Sequence, residues 1–398
     1  MEEEGIRNLW ISQYDVFKQY HTGIKLDYII IYLLFAAIVI ISSKALSKTK
    51  STKEYWYRSL PIIFSFTIIE GIRYLRGTDY LNYALLYKYH GDYFQNEFIF
   101  ISLQNFFYWL KLSYWQAFMV YSFIWISGLI YLLKEFRSYV NYILPSFLVL
   151  GLSGFECFIR QDVAWAVIFI FIYHLIRFNV IKATLFAIIP FFIHSSSVIF
   201  ILILLLIYLQ KKLISPYITI PMYLLAVYII TPDFIGKISQ LISSLPIIKG
   251  SVVGFYISNA DHWFSADASY EGYMRGFFTK TGSTIFDIST IILSYKYMKL
   301  TPKNNRTFTF IFNLTCFSAI FLQLFFTFEI PKRVFLTLYI FISFLVGYIM
   351  KQKLQYKYEI IIRNIIIIYI ITYFIKNILF APNQLFIWDA VNKYNLNL

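Results

Sequence analysis

Apolar runs separated by short charged connections follow one another along the whole chain, at about 27–46, 59–75, 112–133, 139–156, 163–177, 182–194, 196–210, 216–232, 283–299, 307–328, 334–350 and 359–375. Many reach the roughly 17–25 residues that carry a helix across a bilayer, and several are shorter. Their Phe- and Ile-rich interiors lack the polar/apolar alternation of barrel strands, so each run must satisfy its own backbone, as a helix does. The pattern predicts an all-α polytopic membrane protein of about twelve transmembrane helices. No repeat of fixed period and no soluble segment interrupts it, so residues 1–398 are read as a single transmembrane domain.

One stretch breaks the rhythm. Arg177, Lys182, Lys211 and Lys212 mark both ends of 182–210, which is too short for two full crossings at about 1.5 Å per residue. Pro190 and the run His194-Ser195-Ser196-Ser197 lie near its centre. A pair of short helices meeting at His194 fits better, because broken helices stand where protein or a water-filled cavity lines the backbone. His194 is then expected at the floor of an outward-facing cavity.

Lysine and arginine decide orientation. Lys44, Lys48, Lys50, Lys53 and Arg58 fill the first short connection, and Lys134 with Arg137, Arg177 with Lys182, and Lys211 with Lys212 fill later ones. Lys296, Lys299, Lys303 and Arg306, and then Lys351, Lys353, Lys357 and Arg363, complete the series. The positive-inside rule puts these dense loops in the cytoplasm and both termini outside. Two larger loops, 76–111 and 233–282, then face the exterior. The first carries an aromatic pattern that predicts an interfacial helix around 98–110. The second mixes Asn259, Asp261, His262, Trp263, Tyr270, Glu271, Tyr273 and Arg275. Such mixtures suit the faces of sugars, and equally a belt at the lipid headgroups.

Composition agrees with the pattern. Hydrophobic residues make up 59% and charged residues 14% of the chain, more apolar than a soluble globular protein needs. The net charge of +14 is scattered between apolar helices, so it reads as loops facing anionic lipid and not as a nucleic-acid surface. Cys157 and Cys316 are far apart and sit in or beside apolar runs, which suits packing better than a bridge, although a disulfide stays open. The first 26 residues lack a basic region followed by an apolar one, so no cleavable signal peptide is expected.

The charges that remain collect at one end of the spans, the end placed outside: Arg73, Arg76, Asp79, Arg160, His194, Arg275 and Arg333. A charge at membrane depth costs roughly 2.5–3.5 kcal/mol on insertion scales, so a one-sided group points to a site, here a cationic cradle for a phosphate-bearing lipid. Arg73 and Arg76 are three apart, which on a helix puts both guanidinium groups on one face, matched to phosphate oxygens. Snorkelling at a helix end is the plainer alternative, but the break at Gly77-Thr78-Asp79 turns the chain and adds a carboxylate. Asp162 suits a helix start as a dipole partner, whereas Arg160 opposes that dipole and calls for another role. His194 is the histidine placed within an apolar stretch at that end, where neutral imidazole can take a proton from a hydroxyl, or simply pack. Arg333 adds a further cation or another snorkelling side chain. No DxD, HExxH, paired CxxC, P-loop or nucleophile elbow occurs, so no metal site and no cofactor is expected, although Mg²⁺ arriving with a diphosphate is compatible.

Arg73-Tyr74, then Gly77-Thr78-Asp79-Tyr80, then Tyr83, resembles the "RY…GTDY…Y" signature of the EpsG family of bacterial exopolysaccharide and O-antigen loci, usually grouped with Wzy-type polymerases. Arg160-Gln161 with Ala164, followed by His194-Ser195-Ser196, resembles that family's second block, and Arg333 before an aromatic span a later one. The likeness covers roughly 55–210; the later half matches in hydropathy and that arginine. Departures are the extended polar N-terminus and Arg76, where the family often carries a smaller or apolar residue.

The resemblance implies polymerisation of repeat units carried on undecaprenyl diphosphate, at the outer face of the bacterial cytoplasmic membrane. It implies an architecture like that of GT-C membrane glycosyltransferases. Partners would be lipid-linked oligosaccharide repeat units, membrane lipids, and a chain-length regulator and flippase of the same pathway. In this reading Arg73, Arg76, Tyr80, Tyr83, Gln161, Arg275 and Arg333 bind substrate, Arg160 stabilises the leaving diphosphate, and His194 or Asp79 is the base. A lipid-linked oligosaccharide flippase and an O-antigen ligase are the rivals. A flippase would expose charge to both leaflets in turn, whereas here the charge gathers at one end.

Overall fold

The structure, a computed structural model, describes residues 24–74, 76–77, 80, 83–84, 87, 97–230, 277–300, 306–326, 329–381 and 384–389. The apolar runs fold as helices: α1 (Leu26–Leu46), α2 (Thr52–Gly71), α3 (Phe98–Trp109), α4 (Tyr114–Leu133), α5 (Val140–Cys157), α6 (Ile159–Ile176), α7 (Val180–Ile193), α8 (Ser197–Leu209), α9 (Pro216–Tyr228), α10 (Phe277–Leu300), α11 (Arg306–Leu324), α12 (Glu329–Tyr339), α13 (Ile342–Met350) and α14 (Lys357–Leu379). Among the described residues six spans are long and apolar enough to cross a membrane: α1, α4, α6, α11, Pro331–Met350 and α14. The apolar helices α7, α8 and α9 are shorter. The protein is an all-α polytopic membrane protein.

Local chemistry starts several of these helices. Ser51 accepts the Glu54 N–H at the head of α2, and the Gln116 side chain accepts the Ser113 N–H at 2.8 Å at the head of α4. Ser215 caps α9, with Pro216 at the first turn, where its missing N–H costs nothing. A helix stands where one was expected around 98–110, as α3, and the expected pair of short helices is present as α7 and α8. Pro190 lies inside α7, and its carbonyl accepts the His194 N–H at 2.9 Å. His194 itself is extended, with φ −151° and ψ 116°, and its carbonyl accepts the Ser197 N–H.

The chain forms two compact units, Met1–Ile203 with Ile370–Leu398, and Leu204–Tyr369. In the first, α6 packs against α4 and α7, α2 against α4 and α1, α1 against α5, and α3 against α7. Gly128 of α4 allows the close α4–α6 approach, since a Cβ there would stand 2.5 Å from the Ala166 carbonyl oxygen. Rings of Phe66, Trp125, Phe155 and Phe169 fill the space between α2, α4, α5 and α6. In the second unit, α9 and α12 pack against α11, and α13 packs against α10. Buried Asp287 of α10 accepts hydrogen bonds from Tyr223 of α9 and Tyr339 of α12. Among the described residues Cys157 and Cys316 form no disulfide.

One local expectation is corrected. The second span was expected to carry Arg73 and Arg76 on one helical face, but α2 ends at Gly71 and Arg73–Tyr74 is a strand, β1. It pairs antiparallel with β2 (Leu385–Phe386), Arg73 opposite Phe386 and Tyr74 opposite Leu385. The Ile387 N–H donates to the Ile72 carbonyl at 2.9 Å, so a segment from the far end of the chain takes the bonds a longer helix would have used. Lys25 pairs with Asp389 at 2.6 Å and fastens that segment to the start of α1.

Gly77 holds the turn after β1. Its φ is +90°, and a Cβ would lie 2.0 Å from the Glu156 carbonyl oxygen. Gly77→Ala and Gly128→Val are therefore each expected to cost about 1–3 kcal/mol, read as a lower thermal midpoint of the purified protein. Gly154→Ala, where an added Cβ meets nothing within 4 Å, leaves the midpoint unchanged or raises it.

Candidate active site

Within the first unit, the polar side chains at one end of the helices come from six places: the end of α2, β1 and the turn after it, the residue before α3, the end of α5, the start of α6, and the α7–α8 junction. The opposite ends of these helices hold the basic connections, where Arg177 pairs with Glu135 at 2.9 Å and Arg137 donates to the Thr49 carbonyl. The charges fall into a buried group and a half-open group.

The buried group is built on Glu70, in the last turn of α2. Its carboxylate accepts Arg73 Nη1 at 3.1 Å and lies 4.0 Å from Arg76 Nη2, with all three side chains no more than 2% exposed. Arg76 Nε stands 3.4 Å from Glu156 Oε1 at the end of α5. Aromatic rings sheathe both cations: Tyr80, Phe118 and Phe155 around Arg73, and Tyr28, Tyr32 and Phe386 around Arg76. The Tyr80 hydroxyl also donates to the Arg73 carbonyl at 3.1 Å, which pins the strand over the cluster. Asp162 and Gln161, in the first turn of α6, are buried as well.

The half-open group centres on Glu97, which neither the motifs nor the charge pattern picked out. One carboxylate oxygen lies 2.7 Å from His194 Nδ1, and the other accepts Arg160 Nη1 at 2.7 Å. Arg160 Nε donates to the Tyr83 hydroxyl at 3.3 Å, and its guanidinium stands over that ring. The side chains of Arg160 and His194 are 20% and 19% exposed, while that of Glu97 is 6% exposed behind them. Burial pushes the Glu97 carboxyl upward, but the His194 hydrogen bond and the Arg160 charge outweigh it and hold it below the usual carboxylate range. One apolar cluster carries the frame of this group, with Tyr80, Tyr83 and Tyr87 packed among Phe100, Phe107, Tyr121, Ile159 and Ile193.

The structure thus brings Arg73, Arg76, Tyr80, Tyr83, Arg160, Gln161 and His194 to one end of one unit. Arg333, in α12, belongs to the other unit. Asp79 and Arg275 lie outside the described residues, as do His262 and its neighbours in 233–276. Each of the three arginines placed here faces a carboxylate. Of those partners, Glu70 is near in sequence, three residues before Arg73. Glu97 is not, since 97 positions separate it from His194. Among the described residues no three His, Cys, Asp or Glu side chains are grouped as a metal ion would require.

A hydrogen-bonded imidazole beside a guanidinium, both partly exposed, can take a proton from a hydroxyl and stabilise an anion in the same step. The curated proteins and the solved structures contain no match to this chain. A family model described as the EpsG family matches residues 55–396, which includes both polar groups, and the chain therefore belongs to the EpsG family.

Proposed function

We propose that this protein is a polysaccharide polymerase of the Wzy type. It transfers a growing glycan from undecaprenyl diphosphate to a hydroxyl of an incoming lipid-linked repeat unit, at the outer face of the bacterial cytoplasmic membrane. Family membership supports the class of reaction, and the half-open pairing of His194 and Arg160 through Glu97 is the observation that carries the site.

In the step proposed, the acceptor oxygen bonds to the anomeric carbon as the bond from that carbon to the diphosphate oxygen breaks. The electron pair leaves with undecaprenyl diphosphate, and the acceptor proton passes to His194, with Asp79 as the alternative base. The leaving group is already good, so the protein's task is to remove a proton and to meet growing negative charge. Arg160, more open than Arg73 and Arg76, meets the diphosphate. Arg73 and Arg76, enclosed and paired, hold the floor beneath it instead of touching substrate in this conformation. Tyr80 and Gln161 belong to that floor, and Tyr83 orients Arg160. Arg275 is a further ligand in the same proposal.

The first test is turnover of lipid-linked repeat units, extracted from cells lacking the polymerase, by the purified chain in liposomes. His194→Ala is expected to lower the rate by roughly 10²–10⁴-fold, the usual worth of a positioned general base. Arg160→Ala is expected to lower it by a similar factor. Full turnover by His194→Ala would pass the base role to Asp79. Deletion in the native host should leave single repeat units on the final carrier; loss of all export would favour the flippase reading instead.

The buried group gives a stability test. Glu70→Ala leaves Arg73 and Arg76 short of a counter-charge and is expected to destabilise by about 3–5 kcal/mol. Exchanging both partners, as Glu70→Leu with Arg73→Met, should recover much of that loss in thermal midpoint. A Glu70→Ala protein as stable as wild type would show that the pair does not hold this end together.

A further inference from the structure

The carboxylate of Glu97 is unexplained by its place in the chain. It stands at the N-cap of α3, yet its side chain accepts no N–H of that helix's first turn. Instead it reaches out of its own helix to the α7–α8 junction and to α6, and both its oxygens are taken at 2.7 Å. The Ser195 N–H also points to the oxygen that faces His194, at 3.5 Å.

We infer that Glu97 is the positioning residue of the proposed base: it holds His194 in the tautomer with the proton on Nδ1, so that Nε2 presents the lone pair that receives the acceptor's proton. The inference rests on the reading of His194 as base. An ionised carboxylate can only accept, and at 2.7 Å from Nδ1 it requires a hydrogen there. The neutral ring then has its free electron pair on Nε2. As Nε2 gains a proton, the imidazolium forms beside a negative charge already in place, which stabilises it without rearrangement. Arg160 secures the geometry from the other side. A guanidinium only donates, so it fixes one Glu97 oxygen and leaves the second for the ring. The order of exposure fits this division, with the carboxylate behind and the ring in front.

The isosteric variant Glu97→Gln tests the inference sharply. Arg160 can bond only to the amide oxygen, which leaves the amide NH₂ facing Nδ1 and demands the opposite tautomer, with the proton on Nε2. The measurement is nitrogen-15 NMR of the histidine rings in the full chain in lipid nanodiscs. The chain has 5 histidines, and the His194 signal is assigned by its loss in His194→Gln. Wild type is expected to show Nδ1–H and Glu97→Gln Nε2–H. Turnover of the extracted lipid-linked repeat units should fall about 100-fold or more in Glu97→Gln, in kcat and not in KM. The variant Glu97→Gln with Arg160→Ala frees the amide to turn and should restore Nδ1–H. Nε2–H in wild type, or turnover near wild type in Glu97→Gln, would overturn the inference. The expected tautomers together with full turnover in His194→Ala would instead overturn the base assignment on which it rests.

Discussion

A guanidinium group inside an apolar helical unit needs a counter-charge, and this end of the first unit is organised around that need. An isolated charge taken out of water loses several kcal/mol of solvation, while two unit charges at about 4 Å recover roughly 4 kcal/mol at an effective dielectric near 20. Pairing is therefore the condition for having arginines here at all. Glu70 meets Arg73, Glu156 meets Arg76, and Glu97 meets Arg160. Two of the pairs join segments far apart in the chain. The Arg76–Glu156 contact fixes the turn after β1 to the end of α5, and the Arg160–Glu97 contact fixes α3 to α6.

The two groups differ in what pairing accomplishes. Around Arg73 and Arg76 the aromatic sheath is complete and exposure is near zero, so the charges act on structure. A single carboxylate at Glu70 faces two guanidinium groups, which spreads its effect over α2, β1 and the turn. Around Arg160 and His194 the same chemistry is left partly open, and desolvation is incomplete on the face that remains. The first arrangement ties α2, β1 and the turn after it together, and the second leaves a guanidinium and an imidazole partly open.

Much of this was legible in the sequence because it depends on local pattern. The helical runs, the helix at 98–110 and the short pair meeting at His194 all follow from hydropathy, length and the position of Pro190. The arginines stood out because cations are rare at membrane depth. What the sequence hid is nonlocal. β1 exists because Leu385–Phe386 returns to pair with it, and nothing near Arg73 announces a strand. Nothing local marks Glu97, and only the fold turns it towards partners 63 and 97 positions away. A search for cations finds half of an ion-pair system; the other half has to be asked for, carboxylate by carboxylate.

The break at His194 shows why the helices here are short. A continuous helix through 182–210 would bond every backbone group to itself and leave no polar edge for a carboxylate to approach. Pro190 lacks an N–H and so weakens the last turn of α7. His194 then leaves the helical region, and the Ser195 N–H, which a continued helix would have consumed, points to Glu97. The ring is thus set in place by its own backbone as well as by its Nδ1 hydrogen bond. Two short helices achieve what one long helix could not: a titratable ring at the end of an apolar unit, held from behind by a carboxylate and open in front.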